Sequence, residues 1–202
     1  MAAKPPVQEP EPSQAAQKRL RALMSALPAD CTLHGVIDVN RDQTLYDALQ
    51  AEAKTSQVLC LYDGQAEIRY GRYAPHLITP HPASPVLQRW LSEGWEMRWG
   101  IFLASNASTA KLKRHLKRFI TAFDPNGNKT WLRFYDPAVL PDLLQGFNPV
   151  HLYEWFGGGL IRACMAPEAN GLWRATPQSN LLDKLTQVVQ LQTRQFKIEQ
   201  SC

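Results

Sequence analysis

The segment Lys129-Thr-Trp-Leu-Arg-Phe-Tyr-Asp-Pro137 joins an aromatic, largely apolar run to the start signal of a helix. Its large side chains, Trp131 among them, suit the pleated and buried surface of a β-strand. Asp136 can cap a helix, and Pro137 fits the first helical turn because its missing N–H is not needed there. The segment therefore predicts a strand over residues 130–135 that turns sharply into a helix.

The same order of signals occurs upstream. Ser84-Pro85 opens a helix, Gly94 ends it, and Trp95–Ser105 follows as a strand. Comparable patterns predict helices at 14–27, 44–53, 106–121, 138–144 and 178–199, strands at 33–39 and 57–62, a short edge strand at 73–79 and a lone strand at 172–176.

This alternation of strands and helices indicates an α/β fold. A strand, a helix and a second strand within about 30 residues have the length of a right-handed parallel crossover unit. We therefore expect a mostly parallel or mixed sheet flanked by helices, with strands near 34–39, 57–62, 99–104 and 130–135. The predicted organisation is a flexible proline-rich tail (1–13), an α/β lobe (14–148) and a smaller, mainly helical C-terminal lobe (149–202).

Composition and charge are those of an ordinary globular protein. The 202 residues are 45% apolar and 20% charged, with a formal net charge of +4 that permits an acidic partner. The cysteines are too scattered for a zinc site or a disulfide framework, and they stand at Cys31, Cys60, Cys164 and Cys202. No signal peptide or apolar run of membrane-spanning length is found. We expect a cytoplasmic protein that does not interact with a membrane.

Three carboxylates, Asp38, Asp63 and Asp136, each end a predicted strand. Open α/β sheets gather ligand-binding groups at such positions, and three carboxylates could hold Mg²⁺. Asp also ends strands simply because it caps the next helix or turn, and this second interpretation is favoured. Arg133 is expected to make a charge-assisted hydrogen bond at the rim of the sheet. No pattern typical of a metal site, catalytic triad or phosphate loop is present, so no catalytic residue, metal or cofactor is predicted.

The strongest surface signal is a basic run on the predicted helix at 106–121. No acidic residue interrupts it, and its cations are Lys111, Lys113, Arg114, Lys117 and Arg118. Because the apolar positions of this helix should face the core, the cations should form a positive face in solvent. That face could be merely solvated, or it could bind an acidic protein. Nucleic acid is not expected, because aromatic residues for base stacking are absent from the face.

The motifs together resemble one bacterial family, the type VI secretion adaptor-chaperones, catalogued as the domain of unknown function with the number four-one-two-three. The resemblance covers roughly residues 33–147. The motifs that carry it are, in order, Val36-Ile37-Asp38, Ser84-Pro-Val-Leu-Gln-Arg-Trp-Leu-Ser-Glu-Gly-Trp95, Trp99-Gly100, Leu112 to Phe119 and Arg133-Phe-Tyr-Asp-Pro137.

The resemblance implies a non-catalytic protein that binds a toxic effector and loads it onto the C-terminal region of the tip spike protein. The basic run would contribute to one of these contacts. Apolar positions of the C-terminal tail would supply burial, and we name Leu182, Val189 and Phe196 for that role. The alternative function is a small metal-dependent phosphoryl-transfer or nuclease enzyme that uses Asp38, Asp63 and Asp136. The two differ in geometry, because an enzyme needs these carboxylates to converge.

Overall fold

A six-stranded antiparallel sheet is the centre of the computed structural model, which describes residues 13–81, 83–124 and 126–177. The helices are α1 (Gln14–Ala26), α2 (Leu45–Glu52), α3 (Gln65–Tyr70), α4 (Pro85–Arg89), α5 (Thr109–Leu116), α6 (Leu140–Gly146) and α7 (Pro149–Phe156). The strands are β1 (Thr32–Asp38), β2 (Gln57–Cys60), β3 (Pro75–Thr79), β4 (Gly100–Ser105), β5 (Thr121–Phe123), β6 (Lys129–Trp131), β7 (Ala163–Glu168) and β8 (Gly171–Ala175).

The expectation of a parallel or mixed sheet is wrong. The strand order is β2-β3-β1-β4-β7-β8, and every neighbouring pair is antiparallel. β1 and β2 do run in the same direction on either side of α2, but β3 lies between them and pairs with both. β3 is therefore an interior strand rather than the predicted edge strand. Pro75 is tolerated there because it is the first residue of the strand.

Two further expectations about the fold are corrected. The strand predicted over 130–135 is limited to β6, which pairs with β5 in a separate hairpin, and the chain then leaves strand geometry. The C-terminal part is not mainly helical as far as residue 177, because β7 and β8 extend the main sheet beyond β4.

The predicted helix at 178–199 lies outside the described residues, as does nearly all of the predicted tail at 1–13. The domain boundaries stay predictions.

The antiparallel sheet is covered by helices on both faces. One face packs on α1, α2, α4 and a tryptophan-rich turn, and the other on α5, α6 and α7. Along β1, Ile37 points into the first layer and Val36 into the second. Strands buried on both faces form nearly continuous apolar runs, and such runs are typical of parallel sheets. Here they belong to an antiparallel sheet between two helical layers.

The Trp99-Gly100 motif begins β4 at a point of very close backbone packing. Gly100 lies opposite Ile37 in the register of β1 and β4. A Cβ atom at position 100 would lie 1.9 Å from the carbonyl oxygen of Val36, which belongs to the backbone of the neighbouring strand. Glycine is therefore required here by the spacing of the two central strands.

We expect Gly100→Ala to lower the free energy of unfolding by about 3 kcal/mol or more, because the backbone of β1 cannot move without disturbing the sheet. Urea denaturation measures the change. Gly171→Ala in β8 is the matched control, since no heavy atom lies within 4 Å of the added methyl group. That control should change stability by less than about 1 kcal/mol. Equal stabilities for the two variants would contradict the packing argument.

Three histidines are buried in the layers around the sheet, and each has a hydrogen-bond partner. His34 Nδ1 lies 2.7 Å from Thr79 Oγ1, His76 Nδ1 donates to the Ala74 carbonyl at 2.9 Å, and His115 Nε2 donates to the Trp155 carbonyl at 2.7 Å. Burial lowers the pKa of all three imidazoles, and it lowers the pKa of His34 to about 4. The folded protein therefore holds them neutral near pH 7.

We expect the free energy of unfolding to fall between pH 7.5 and pH 5. The folded pKa of His34 lies below its unfolded value of about 6.5, so the unfolded chain binds more protons as the pH decreases through 6.5. His34 alone should account for about 2 kcal/mol of this loss. Urea titrations at the two pH values measure the loss. The control is His151→Gln, at an exposed position, whose free energy of unfolding should depend on pH as that of the wild type does. A stability independent of pH over this interval would exclude the mechanism.

Candidate functional site

The helix α5 carries the basic run, and its orientation is set at both ends. Ser108 caps the N-terminus by accepting a hydrogen bond from the Lys111 backbone N–H at 3.3 Å. Leu112 and Leu116 are fully buried in the second layer. His115 binds the C-terminal end of α7 through the Trp155 carbonyl. These contacts determine which side chains of α5 face solvent.

The basic run divides into two flanks of the helix. On one flank, Lys113 and Lys117 both bind Asp63, with Nζ–Oδ distances of 2.7 Å and 2.5 Å. The hydrogen bonds from Lys113 and Lys117 lower the pKa of the Asp63 carboxyl to about 2. Sequence reasoning missed this partner because Asp63 lies 54 residues before Lys117, in the loop after β2. We call Lys113 and Lys117 the paired flank.

The opposite flank, which we call the free flank, consists of Lys111, Arg114 and Arg118. Within the described ranges, these three side chains make no ion pair with a carboxylate. They line an open cavity of about 890 Å³. The other lining residues are Asn106, Ala107, His115, Tyr153, Glu154, Gly157, Gly158, Gly159 and Leu160, among which Glu154 supplies the carboxylate.

The wall of the cavity opposite α5 is the C-terminus of α7. Gly157 ends that helix in the left-handed conformation (φ 59°) and its N–H caps the last turn. A Cβ atom here would lie 2.9 Å from the His115 ring. The three glycines, predicted from the sequence to form a turn, cap the helix and continue into a tight turn in which all three have positive φ. Because these glycines have no side chains, this wall does not fill the cavity.

A second cluster of charges joins two of the sequence motifs. Asp38, at the end of β1, accepts a hydrogen bond from Arg133 at 2.6 Å, which confirms the predicted charge-assisted bond. Arg41 bridges the cluster, with its Nη2 atom 2.5 Å from Asp136 Oδ2 and its Nε atom 3.5 Å from Asp38 Oδ2. Asp136 also accepts from the Ala138 N–H at 3.0 Å, so it caps a turn, whereas α6 itself begins at Leu140.

The strand-end carboxylates therefore each have cationic partners. Asp38 and Asp136 bind arginines, and Asp63 binds the two lysines of the paired flank. In the part of the chain that the structure describes, no group of three or more His, Cys, Asp or Glu residues could hold a metal ion. The convergence that the alternative enzyme function needs is not found among those residues.

Residues 34–154 match the family described as "Domain of unknown function (DUF4123)". The chain belongs to this family. DUF4123 proteins are associated with type VI secretion adaptors. No curated protein and no solved structure matches the chain. The matched region contains the Asp38–Arg133 pair and all of α5, whereas the glycine wall of the cavity follows it.

The structure describes only some of the predicted site residues. The five cations of the basic run all lie on or just after α5, but only the free flank lines the cavity. Leu182, Val189 and Phe196 lie outside the described residues, and their role stays a prediction. None of the helices between residues 13 and 177, as far as they are described, is long and apolar enough to cross a membrane.

We expect Asp38→Asn to lower the free energy of unfolding by about 3 kcal/mol, because Asp38 is 2% exposed and its charge is the close ion-pair partner of Arg133. Asp136→Asn should cost about 1 kcal/mol, since the amide can still accept from Ala138. Chemical denaturation measures both changes.

The matched control is Asp47→Asn, which breaks the exposed ion pair with Arg72 and should change stability by less than about 1 kcal/mol. An Asp38→Asn variant as stable as this control would show that the buried pair does not hold the two motifs together.

Proposed function

We propose that this DUF4123 protein is a cytoplasmic type VI secretion adaptor-chaperone. It binds a secreted effector toxin and loads that toxin onto the C-terminal region of the spike protein, and it is not itself an enzyme. The observation that carries the proposal is the free flank of α5, where Lys111, Arg114 and Arg118 line an open cavity without carboxylate partners. Membership of the DUF4123 family associates the chain with type VI secretion.

The spacing of the free flank suits an acidic protein surface. Lys111, Arg114 and Arg118 follow one another at intervals of three and four residues, so they project from one side of the helix. The planar guanidinium groups of the two arginines can each bind a carboxylate through two parallel hydrogen bonds. Exposed charges of this kind mainly accelerate association and select the correct partner. Such a role suits an adaptor that must recognise one cognate toxin.

A protein partner is favoured over nucleic acid by the other wall of the cavity. Glu154 lines the same cavity as the three cations. A polyanionic backbone would be repelled by this carboxylate, whereas a protein can present a lysine or arginine to it. The net charge of +4 is also small for a protein that binds nucleic acid.

The proposal that the chain is not an enzyme rests on how its reactive groups are used. The three carboxylates Asp38, Asp63 and Asp136 are ion-paired. Burial raises the pKa of the Cys164 thiol to about 12, so it is not available as a thiolate nucleophile near pH 7.

We expect Arg114→Glu/Arg118→Glu to reduce the amount of effector or spike that co-purifies with the chain by about tenfold, because both bidentate donors are replaced by repelling carboxylates. Tagged protein from the producing bacterium, analysed by quantitative mass spectrometry, measures the loss. Raising the salt concentration should weaken the wild-type complex, since exposed charges are screened.

Lys18→Glu/Arg21→Glu is the matched control, because it makes the same change in net charge on α1, in the opposite helical layer. Co-purification should persist in this control. Lys113→Glu/Lys117→Glu should affect binding less than the free-flank variant, since Asp63 already neutralises these lysines. Retention of both partners by the Arg114→Glu/Arg118→Glu variant would refute the role of the free flank. Deletion of 178–202 separately tests Leu182, Val189 and Phe196.

A further inference from the structure

The β5–β6 hairpin is a second exposed feature that the proposed binding surface does not use. It is a two-stranded sheet of its own, and every residue of β6 is exposed. Two large aromatic side chains are also exposed there, with Phe123 71% and Trp131 56% accessible. Adjacent exposed aromatic residues of this size are typical of protein-binding surfaces.

The register shows which backbone groups of the hairpin are available. The Leu132 N–H donates to the Ile120 carbonyl at 2.8 Å, and the Asp124 N–H donates to the Asn128 carbonyl at 2.9 Å. Bonded pairs alternate with non-bonded pairs in an antiparallel ladder. The intervening pairs, Thr121 with Trp131 and Phe123 with Lys129, are therefore non-bonded. The backbone N–H and C=O groups of Lys129 and Trp131 point away from β5, along the exposed outer edge of β6.

The hairpin is also held in place before any partner arrives. Asp124 closes the turn by accepting from the backbone N–H groups of Asn126 and Asn128 at 2.9 Å and 2.8 Å. The Trp131 ring lies on the Tyr62 ring, with 5.0 Å between their centroids. A preorganised edge loses less conformational entropy when a partner binds.

The charge around this edge is positive. Alternation along the strands places Lys129 on the same face of the hairpin as Phe123 and Trp131. Arg133, which follows the strand, is already paired with Asp38, so Lys129 carries the positive charge of the edge. The carboxylate of Asp124 is already engaged by the turn. A partner strand on this edge would therefore gain from acidic side chains opposite Lys129.

We propose that β6 is a docking edge for an extended, acidic segment of a partner protein, which adds to the hairpin as a third strand. The partner's backbone pairs with the free N–H and C=O groups of Lys129 and Trp131. Its apolar side chains pack beside Trp131, and its carboxylates face Lys129. Strand addition of this kind obtains affinity from backbone hydrogen bonds and specificity from alternate side chains.

This edge lies on the other side of α5 from the free flank. Trp131 contacts Tyr62, and the next residue, Asp63, binds Lys113 and Lys117 on the paired flank. The free flank and the outer edge of β6 therefore share no residue. The edge does not depend on the cavity, and either proposal can fail without the other.

The test uses the full chain and a synthetic fluorescent peptide of about eight residues, a length typical of one strand. Its sequence repeats Glu-Thr-Val-Thr, so that glutamate and valine both lie on the face that meets Lys129 and Trp131. Fluorescence anisotropy measures binding, and hydrogen exchange measures protection of the backbone amides. We expect saturable binding together with new protection at Lys129 and Trp131. A peptide with lysine in place of glutamate should bind about tenfold more weakly, because it faces Lys129 with like charge.

Two substitutions of Lys129 separate the contribution of its backbone N–H to binding from the contribution of its charge. Lys129→Pro removes an outward N–H without removing a bond of the hairpin, and proline is tolerated at such a position. It should weaken peptide binding by about tenfold or more. Lys129→Ala keeps the N–H and should lose mainly the salt-dependent part of the affinity. Trp131→Ala, an exposed position, should also weaken binding by about tenfold. Circular dichroism verifies that each variant is folded.

Each contrary result overturns the proposal. Failure of the peptide to bind saturably at millimolar concentration would do so, as would equal binding by the wild type and a folded Lys129→Pro variant. Protection that appears elsewhere would place the peptide on another surface. A wild-type dimer in sedimentation experiments that Lys129→Pro dissociates would assign the edge to a second copy of this chain. Loss of peptide binding in Arg114→Glu/Arg118→Glu would assign the peptide to the free flank.

Discussion

The buried carboxylate of Asp38 is the constraint on which the second helical layer depends. A charge that is 2% exposed at the end of a central strand must be paired, and Arg133 and Arg41 supply the pairing. Arg133 thereby holds the segment that follows the hairpin against the sheet. The next residue, Phe134, is fully buried, with its ring centroid 5.2 Å from that of Trp155 on α7. One ion pair thus connects the central strand to the packing of α7.

The same chain of contacts reaches the surface that we assign to partner binding. The Trp155 carbonyl accepts a hydrogen bond from His115, and this bond helps to set the rotation of α5 about its own axis. That rotation decides the environment of each cation. Lys113 and Lys117 are turned toward Asp63, whereas Lys111, Arg114 and Arg118 are turned toward the open cavity. The core of the protein therefore determines which part of the basic run remains available for a partner.

Much of the local structure could be predicted from the sequence. The apolar spacing of α1, the Ser84-Pro85 start of α4 and the apolar run of β4 each contain their own signal, because caps and periodicity act over a few residues. The predicted parallel sheet was wrong because the strand-helix-strand length fits a parallel crossover but contains no sign that β3 inserts between β1 and β2. The aromatic run after Trp131 has the composition of a strand, but Phe134 is buried against Trp155 outside any sheet.

The sequence by itself determined the positions of α1, α2, α4 and α5, the strands β1, β2 and β4, the positive character of α5 and, through its motifs, the membership of the DUF4123 family. Only the tertiary structure decided the insertion of β3 between β1 and β2, the pairing of Asp63 with two lysines and the exposed edge of β6. These features join residues that are far apart in sequence. Local propensity contains no information about such pairs, whereas their free energy depends on burial and distance in the folded chain.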